Sequence, residues 1–408
     1  MATPAQRTNT WTLDEWYDQA VAGTTGGYNG VIGGELYTWG NNSQGVSGHN
    51  NLTQYSSPRQ VPGTTWVDIN SGCPSNTSLA TKSDGTLWTW GDNSWGQLGQ
   101  NSPGPSDRSS PVQVGTETTW AGLSDEDSLD TYKLAMWDTG LAIKTDGTLW
   151  SWGLYTATAK NNQTHYSSPT QVGTDTTWKS VALANPGTAA ALKTDGTLWA
   201  WGDNNSGQLG QNQASAQLGK LSSPVQIPGT WSKFDCGEYG DGGIKTNGTL
   251  WMWGTNARGE LGQNQAFPAL GRVSSPTQVT GTTWSKISLG EFQVAAIKTD
   301  GTLWSWGYNG KGQLGLNEGT GGQPGSYSSP VQVGTDTTWR DVNIQGAQSC
   351  FAVKTDGTLW SWGYNYGGRL GLNQGTPASR SSPTQIGSHT DVIRLGGGQY
   401  NTMYIRNT

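Results

Sequence analysis

Residues 193–202 read Lys-Thr-Asp-Gly-Thr-Leu-Trp-Ala-Trp-Gly, and close copies of this stretch recur along the chain. The second tryptophan of the copies falls at seven positions: Trp39, Trp90, Trp152, Trp201, Trp253, Trp306 and Trp362. Successive copies are 49 to 62 residues apart, a period typical of repeat architectures such as propellers and solenoids. One unit of such an array cannot fold alone, so the repeats predict a single cooperative body.

Most copies contain a predicted hairpin. Asp195-Gly196 separates two short apolar runs, and this dipeptide predicts two strands joined by a tight type I′ turn. In the second strand, Trp199 and Trp201 are two residues apart and therefore point to the same face. We expect such paired indoles to fill the space between neighbouring sheets, because aromatic burial dominates that packing.

Two further motifs follow the hairpin. Residues 204–210 read Asn-Asn-Ser-Gly-Gln-Leu-Gly, a turn expected to place one leucine per copy in the core. These leucines are Leu98, Leu209, Leu261, Leu314 and Leu370. A Ser-Ser-Pro motif, such as residues 222–224, then predicts the outermost strand, because proline cannot donate to a ladder. With a fourth strand beginning near a Thr-Trp pair, the unit has four antiparallel strands, and their radial repetition describes a β-propeller.

The predicted fold class is therefore all-β: a seven-bladed β-propeller of four-stranded antiparallel blades over residues 31–408, with a short N-terminal helix. The stretch from Asp391 to Ile405 matches the first two strands of an eighth repeat. We expect this C-terminal half-repeat to join the N-terminal half-repeat and to close the ring without an open edge.

Residues 1–30 depart from the repeat pattern and are predicted to form a polar arm and a short amphipathic helix. Thr12 and Glu15 have the spacing of a capping box at a helix N-terminus. The apolar residues that share one face of this helix are Leu13, Trp16, Tyr17, Ala20 and Val21. This face either covers an end of the propeller or anchors it to a larger assembly.

Composition excludes several functional classes. The 408 residues include 61 glycines and 23 tryptophans, which favours tight turns and buried aromatics over disorder. A net charge of −6 argues against general nucleic-acid binding, which needs a basic surface. No run of 18 apolar residues occurs and the N-terminal ten residues are polar, so neither a membrane span nor a cleaved signal is expected. Cys73, Cys236 and Cys350 lack metal-ligand spacing and are expected to be buried.

The motifs resemble those of the regulator of chromosome condensation repeat family. The shared features are Lys-Thr-Asp-Gly-Thr-Leu-Trp-x-Trp-Gly, Asn-x-x-Gly-Gln-Leu-Gly and Ser-Ser-Pro, which recur in this order over about residues 31–408. The resemblance implies a seven-bladed propeller. The eukaryotic namesake is a nucleotide exchange factor for a small GTPase and binds chromatin. Its functional residues cannot be placed on this chain, whose histidines do not recur between repeats: His49, His165 and His389.

Two further resemblances bear on function. The family is similar to the bacterial β-lactamase-inhibiting propeller, which binds a protein through aromatic residues at one mouth. The near-identical repeats and the Asn-Thr-Trp-Thr-Leu opening look most like repeat proteins of tailed marine phages. These resemblances imply protein binding and a place in a virion.

Candidate binding residues are aromatic side chains at loop positions: Trp95, Tyr155, Tyr308, Tyr364 and Tyr366. An acidic run is a weak calcium candidate: Asp125, Glu126, Asp127 and Asp130. It lacks the alternating spacing of a calcium loop, which favours a solvated charge run. No Ser/His/Asp set or phosphate-binding loop can be assembled, so neither an enzyme nor a cofactor is predicted.

The sequence favours a non-enzymatic interaction or display module, a structural or accessory protein of a phage particle such as a tail, fibre or capsid decoration. Its expected partner is a protein of that assembly, or a host surface glycan or receptor. The expected location is the virion, or otherwise the cytoplasm. Two alternatives stay open: a carbohydrate- or receptor-binding lectin-like propeller, and a soluble regulator or inhibitor of one protein.

Overall fold

The computed structural model describes eleven segments of the chain: residues 33–71, 76–102, 106–122, 132–184, 187–213, 219–265, 269–318, 325–345, 348–374, 379–398 and 401–407. Two predictions lie outside the described residues. They are the N-terminal helix with its apolar face (Leu13, Trp16, Tyr17, Ala20, Val21) and the acidic run (Asp125, Glu126, Asp127, Asp130).

The described residues form strands β1 to β27 and two short 3-10 turns, Tyr155–Ala157 and Tyr366–Gly368. The strands are β1 (Gly34–Gly40), β2 (Tyr55–Ser71), β3 (Thr77–Lys82), β4 (Leu87–Gly91), β5 (Arg108–Gln113), β6 (Leu134–Met136), β7 (Thr139–Ile143), β8 (Leu149–Gly153), β9 (Tyr166–Gln171), β10 (Trp178–Ala184), β11 (Thr188–Lys193), β12 (Leu198–Asp203), β13 (Lys220–Ile227), β14 (Trp231–Cys236), β15 (Gly240–Lys245), β16 (Leu250–Thr255), β17 (Arg272–Gln278), β18 (Trp284–Leu289), β19 (Gln293–Lys298), β20 (Leu303–Tyr308), β21 (Ser326–Gln332), β22 (Trp339–Gln345), β23 (Ser349–Lys354), β24 (Leu359–Gly363), β25 (Arg380–Gln385), β26 (Val392–Gly397) and β27 (Asn401–Arg406).

Six antiparallel sheets contain these strands. Five have four strands each, paired in chain order, from β6-β7-β8-β9 to β22-β23-β24-β25. Within each, the second and third strands flank the Asp-Gly or Asn-Gly turn and the fourth carries Ser-Ser-Pro. The predicted all-β propeller of four-stranded antiparallel blades is confirmed, and Ser-Ser-Pro lies on the outermost strand as predicted.

The sixth sheet has seven strands in the order β26-β27-β1-β2-β3-β4-β5. Its strand β2 is 17 residues long, pairing with β1 through its first half and with β3 through its second half. Strand β27 pairs with β1 over six residues, from Glu35 opposite Arg406 to Gly40 opposite Asn401. Strands from the two ends of the chain therefore hydrogen-bond within one sheet.

The hairpin turns differ from the predicted type I′. Gly196 has a φ of 82°, whereas Asp195 is not among the described residues with positive φ. The N–H of Gly196 donates to the carbonyl of Lys193 (3.1 Å), and the N–H of Lys193 donates to that of Thr197 (3.0 Å). The turn is therefore type I followed by a left-handed glycine, which needs positive φ at one position only.

The second tryptophan of each motif connects neighbouring repeats. All seven indoles are at most 1% exposed. Each Nε1 donates to a backbone carbonyl in the loop of the preceding repeat at 2.7 to 3.0 Å. The pairs are Trp90 with Val46, Trp152 with Gln97, Trp201 with Ala157, Trp253 with Gln208, Trp306 with Glu260, Trp362 with Gln313, and Trp39 with Arg369. The last pair joins the first copy to the final one.

A second set of seven bonds explains the Ser-Ser-Pro and Leu-Gly-x-Asn motifs. Seven asparagines, five of which lie two residues after a Leu-Gly, have a left-handed φ of 53° to 60°. The N–H of each donates to the carbonyl of the first serine of the next repeat, at 2.6 to 3.2 Å. The pairs are Asn50 with Ser109, Asn101 with Ser167, Asn161 with Ser222, Asn212 with Ser274, Asn264 with Ser328, Asn317 with Ser381, and Asn373 with Ser56. The predicted core leucines, such as Leu209, are buried beside these links.

The first tryptophan of each pair is less deeply buried than the second. Trp199 is only partly buried and meets Trp178 edge-on at 6.4 Å. Lys193 covers both rings, with Nζ 4.3 Å from the Trp199 centroid and 4.8 Å from that of Trp178. The outer indole packs against the apolar cluster between two neighbouring sheets, as predicted, and its other contact is with the aliphatic stem and ammonium of the hairpin lysine.

Candidate functional site

Antiparallel order places the connections of every blade on two faces. Connections between the first and second strands, and between the third and fourth, leave at one end, which we call the loop face. The Asp-Gly turns and the links to the next blade leave at the other end, the turn face. The longest described connections, such as residues 41–54 and 154–165, lie on the loop face. Long connections on a rigid scaffold are where binding residues concentrate.

All five aromatic residues predicted at loop positions follow a third strand or end one, and so lie on the loop face. Trp95 is 44% exposed and Tyr366 is 48% exposed. Tyr155, Tyr308 and Tyr364 are partly buried. Among the described residues the large apolar side chains that are exposed are Trp95, Tyr366 and Leu52, and residue 52 lies in a loop-face connection as well.

Two of the predicted aromatics meet around a histidine. The His165 ring centroid is 5.2 Å from that of Trp95 and 5.4 Å from that of Tyr155. On the Tyr155 ring, Lys220 places its Nζ 4.6 Å from the centroid. Three successive repeats contribute to this cluster, which combines an exposed indole with positive charge.

Cationic side chains also lie over the rings of the other three predicted aromatics. Tyr364 and Tyr366 stack with centroids 6.0 Å apart, and the guanidinium of Arg369 is 5.7 Å from each ring. Lys311 and Arg258 belong to preceding repeats: Lys311 Nζ lies 5.3 Å from the Tyr364 centroid, and the Arg258 guanidinium lies 5.3 Å from the Tyr308 centroid. Sequence reasoning missed these cations, because each ring and its partner in the preceding repeat are some 50 residues apart.

A central channel opens between the first strands of the blades. It contains a cavity of about 110 Å³ whose wall includes Asn70, Asp235, Ser288 and Asn343. The carboxylate of Asp235 accepts from the N–H groups of Leu289 (2.8 Å) and Cys236 (2.9 Å). Enclosure by protein raises the pKa of Asp235 to about 7.

The channel ends on the loop face in a repeated dipeptide, Glu238-Tyr239 and Glu291-Phe292. The rings of Tyr239 and Phe292 stack at 5.2 Å. Burial, together with the neighbouring Glu238, raises the pKa of Glu291. The loop face therefore has an acidic centre and a rim of aromatics with cations.

Arg394 forms a fully buried ion pair with Asp68 at 2.8 Å. The Arg394 guanidinium also lies 4.2 Å from the ring centroid of Tyr132, whose hydroxyl accepts from Asn343 Nδ2 (3.2 Å). Asp68 lies on β2 and Arg394 on β26, so the pair connects strands from opposite ends of the chain. This arrangement is structural, because the charges face each other and not the cavity.

The described residues hold no group of three histidine, cysteine or acidic side chains that could bind a metal ion. Cys236 and Cys350 are buried free thiols, and burial raises the pKa of both. The third cysteine, Cys73, lies outside the described residues. Over the part of the chain that is described, we find no helix with the length and apolar character needed to cross a membrane.

Fold and surface together define a class: a β-propeller built from repeats, with aromatic and charged side chains collected on one face. The chain belongs to the regulator of chromosome condensation (RCC1) repeat family. Models of this repeat match residues 33–76, 84–121, 195–240, 247–297, 300–353 and 356–405, more than half of the chain. A second model of the repeat matches residues 178–208 and 284–313.

Curated relatives are distant. The RCC1 domain-containing protein RUG3, mitochondrial, of Arabidopsis thaliana is 26% identical over 317 residues, covering 76% of this chain and 68% of that protein. Human probable E3 ubiquitin-protein ligase HERC6 is 29% identical over 207 residues, covering 49% of this chain but only 20% of its own length. The chain thus spans about a fifth of HERC6.

Solved structures share the fold at low identity. Prp20p of Saccharomyces cerevisiae, studied for its binding to Gsp1p and histones, superposes with a TM-score of 0.78 at 19% identity, covering 93% of this chain and 94% of Prp20p. The same yeast RCC1 bound to Kap60 gives a TM-score of 0.77. Human WBSCR16 gives 0.74 at 16% identity, covering 92% and 99% of the two chains. At these identities the likeness establishes the fold alone.

Proposed function

We propose that the protein is a non-enzymatic interaction module that binds a protein partner through the loop face. One observation carries this proposal: the exposed aromatic side chains Trp95 and Tyr366 lie on that face, Trp95 beside His165 and Tyr366 beside Arg369. Tryptophan, tyrosine and arginine are the residues that dominate binding energy at protein interfaces. The yeast propeller of the same fold binds Kap60, which supports the class of partner.

We also propose that the propeller has seven blades, as the repeats predict. We read the seven-stranded sheet as two blades that share β2, whose halves pair with β1 and β3. Both sets of inter-repeat bonds support the reading, because each has seven members and each returns from the last repeat to the first. Two blades from this sheet and five from the others give seven.

The finer assignment is a structural or accessory protein of a phage particle, with the propeller as a rigid display platform. Its support is the sequence of residues 1–30, whose helical stripe the repeats do not explain. If this segment is the anchor, a chain lacking residues 1–24 keeps the melting temperature of the propeller but no longer co-purifies with assembled particles. Incorporation at the wild-type level would place the attachment elsewhere.

A lectin-like function is the second candidate, favoured by the exposed indole of Trp95, since sugar rings stack on such surfaces. A glycan array separates it from the first proposal: saturable binding to one glycan class that is lost in Trp95→Ala would favour the lectin.

A soluble regulator or inhibitor of one protein would use the same loop face, and differs in acting on a partner outside any particle.

The proposal is tested with a double variant, Trp95→Ala with Tyr366→Ala. Both side chains are about half exposed, so the melting temperature should stay within a few degrees of the wild type. Affinity for the partner, once recovered from the parent assembly or host, should fall by roughly tenfold or more. Thr282→Ala, an exposed position on the turn face, is the matched control and should bind normally. Equal binding by the double variant would refute a loop-face site.

A further inference from the structure

Grooves separate neighbouring repeats at the outer rim of the propeller. One, of about 390 Å³, is lined by His49, Arg59, Trp66, Lys82 and Trp88, and we call it the His49 groove. The groove one repeat further on, of about 450 Å³, has the same tryptophan walls and a Glu117. Because the two are built from equivalent positions, their differences isolate what is special about the first.

Three departures from the repeat pattern converge on the His49 groove. His49 stands where no other repeat has histidine: the equivalent residues are Gln100, Lys160, Gln211, Gln263, Leu316 and Leu372. Arg59 follows Ser-Ser-Pro where other repeats have a small uncharged residue: Val112, Thr170, Val225, Thr277, Val331 and Thr384. The third departure is a missing acid. Three repeats pair the hairpin lysine with a carboxylate, Lys144 with Glu117 (2.6 Å), Lys193 with Asp175, and Lys354 with Asp336 (2.6 Å).

Lys82 has no such acid, because the connection ahead of Trp66 reads Val-Pro-Gly-Thr-Thr. Its Nζ lies over the rings of Trp66 (4.6 Å) and Trp88 (4.0 Å), and burial lowers its pKa. Among the described residues, neither Lys82 nor Arg59 forms an ion pair. Lys245 and Lys298 also lack the acid, but only the His49 groove adds an arginine and a histidine to the lysine.

Arg59 and His49 are both held by one ring. The Arg59 guanidinium lies 4.7 Å over the ring of Tyr55, and the His49 ring meets Tyr55 edge-on at 5.2 Å. Arg59 is exposed and its charge contributes to lowering the pKa of His49, after the larger effect of burial. The Tyr55 ring thus holds the planar guanidinium of Arg59, with its N–H donors, next to the imidazole of His49 at the open side of the groove.

The hydrogen bonds of His49 define its tautomer. The Thr38 hydroxyl donates to the carbonyl of Ser47 (2.6 Å), so the 2.8 Å contact between Thr38 Oγ1 and His49 Nε2 requires Nε2 to donate. Neutral His49 therefore has a bare Nδ1, which becomes a donor only on protonation. An anion near this ring would favour the protonated form.

We propose that the His49 groove binds an oxyanion group, a phosphate or a carboxylate, through Arg59, Lys82 and His49. The guanidinium supplies two parallel donors that match either oxyanion, and the ammonium and imidazole add charge. The apolar walls of Trp66, Trp88 and two prolines reduce the competition from water. The protein as a whole has a net charge of −6, so the positive charge of this groove is a local feature of its surface.

The test uses the three histidines as reporters in the intact chain. Proton NMR pH titrations of the imidazole C2–H signals are recorded without additive, with ~10 mM inorganic phosphate, and with ~10 mM succinate, at constant ionic strength. We expect an anion to raise the pKa of His49 by roughly half a unit or more. The variant His49→Gln, which introduces the glutamine found in three other repeats, assigns the signal.

Arg59→Val is the decisive variant, because it installs the valine that other repeats have at this exposed position and should leave the melting temperature unchanged. The anion-induced shift of His49 should then disappear. Glu117→Gln, in the neighbouring groove, is the matched control and should leave the shift intact. A response to phosphate alone or succinate alone would define the anion. No response to either, or a shift that persists in Arg59→Val, would overturn the proposal.

Discussion

Single side chains in this propeller serve several contacts at once. Thr197 accepts from Trp199 Nε1 (3.0 Å), and both its N–H (2.9 Å) and its hydroxyl (2.7 Å) donate to Asp195. The same three bonds recur in the other Asp-Gly-Thr and Asn-Gly-Thr turns. These acids are therefore structural, as their recurrence in the sequence indicates.

Glu260 provides a pH test at the residue scale. It stands where three other repeats have glutamine: Gln97, Gln208 and Gln313. Its side chain is 5% exposed and accepts from the N–H groups of Ala257 (3.1 Å) and Arg258 (2.6 Å). Burial raises its pKa from 4.5 to about 7. The folded state thus keeps a proton that the unfolded state releases between pH 4.5 and 7, so stability falls as pH rises through this window and stays reduced above it.

Glu260→Gln should remove that loss. We expect its melting temperature to match the wild type near pH 4.5 and to exceed it by several degrees at pH 8, equivalent to at most about 3 kcal/mol. Gln208→Glu, at the equivalent position of the preceding repeat, should add a second loss of the same sign, so its melting temperature should fall further below the wild type as pH rises. Thermal unfolding of the wild type and the two variants at both pH values tests this prediction. A melting-temperature difference between wild type and Glu260→Gln that does not change with pH would contradict it.

At the scale of elements, the sequence predicts what depends on short-range pattern. The hairpins, the leucine turns and the outer Ser-Ser-Pro strands follow from residues adjacent in the chain. The turn type was wrong because Asp-Gly serves two turn geometries, and Asp195 adopts the one that lets it bind Thr197. Lys220, Arg258 and Lys311, which lie over Tyr155, Tyr308 and Tyr364, were missed because they come from other repeats and no local signal marks them.

Strands β26 and β27 provide a test of closure. Deleting residues 391–408 removes the pairing of β27 with β1 and the Arg394–Asp68 ion pair, which leaves a buried carboxylate without its cation and an open strand edge. We expect aggregation, or a melting temperature lower by ~10 °C or more. A chain lacking only Thr408 is the control. A soluble monomer with the wild-type melting temperature would contradict closure through these strands.

For the whole molecule, the repeats separate scaffold from variation. Two sets of seven hydrogen bonds connect neighbouring repeats. In one set an indole N–H donates to a backbone carbonyl, and in the other the backbone N–H of a left-handed asparagine donates. The residues that break the repeat pattern do not form these bonds: Trp95 and Tyr366 lie on the loop face, and His49 and Arg59 lie in the His49 groove. This division is what a binding module needs, because the scaffold can stay rigid while the exposed residues define the partner.

The most direct measurement of the central claim is hydrogen–deuterium exchange of the protein alone and in complex with its partner. Binding through the loop face predicts slowed exchange in residues 92–102, 154–165 and 364–374, with the Asp-Gly turns unchanged. Protection confined to those turns, with the loop-face segments unaffected, would contradict it.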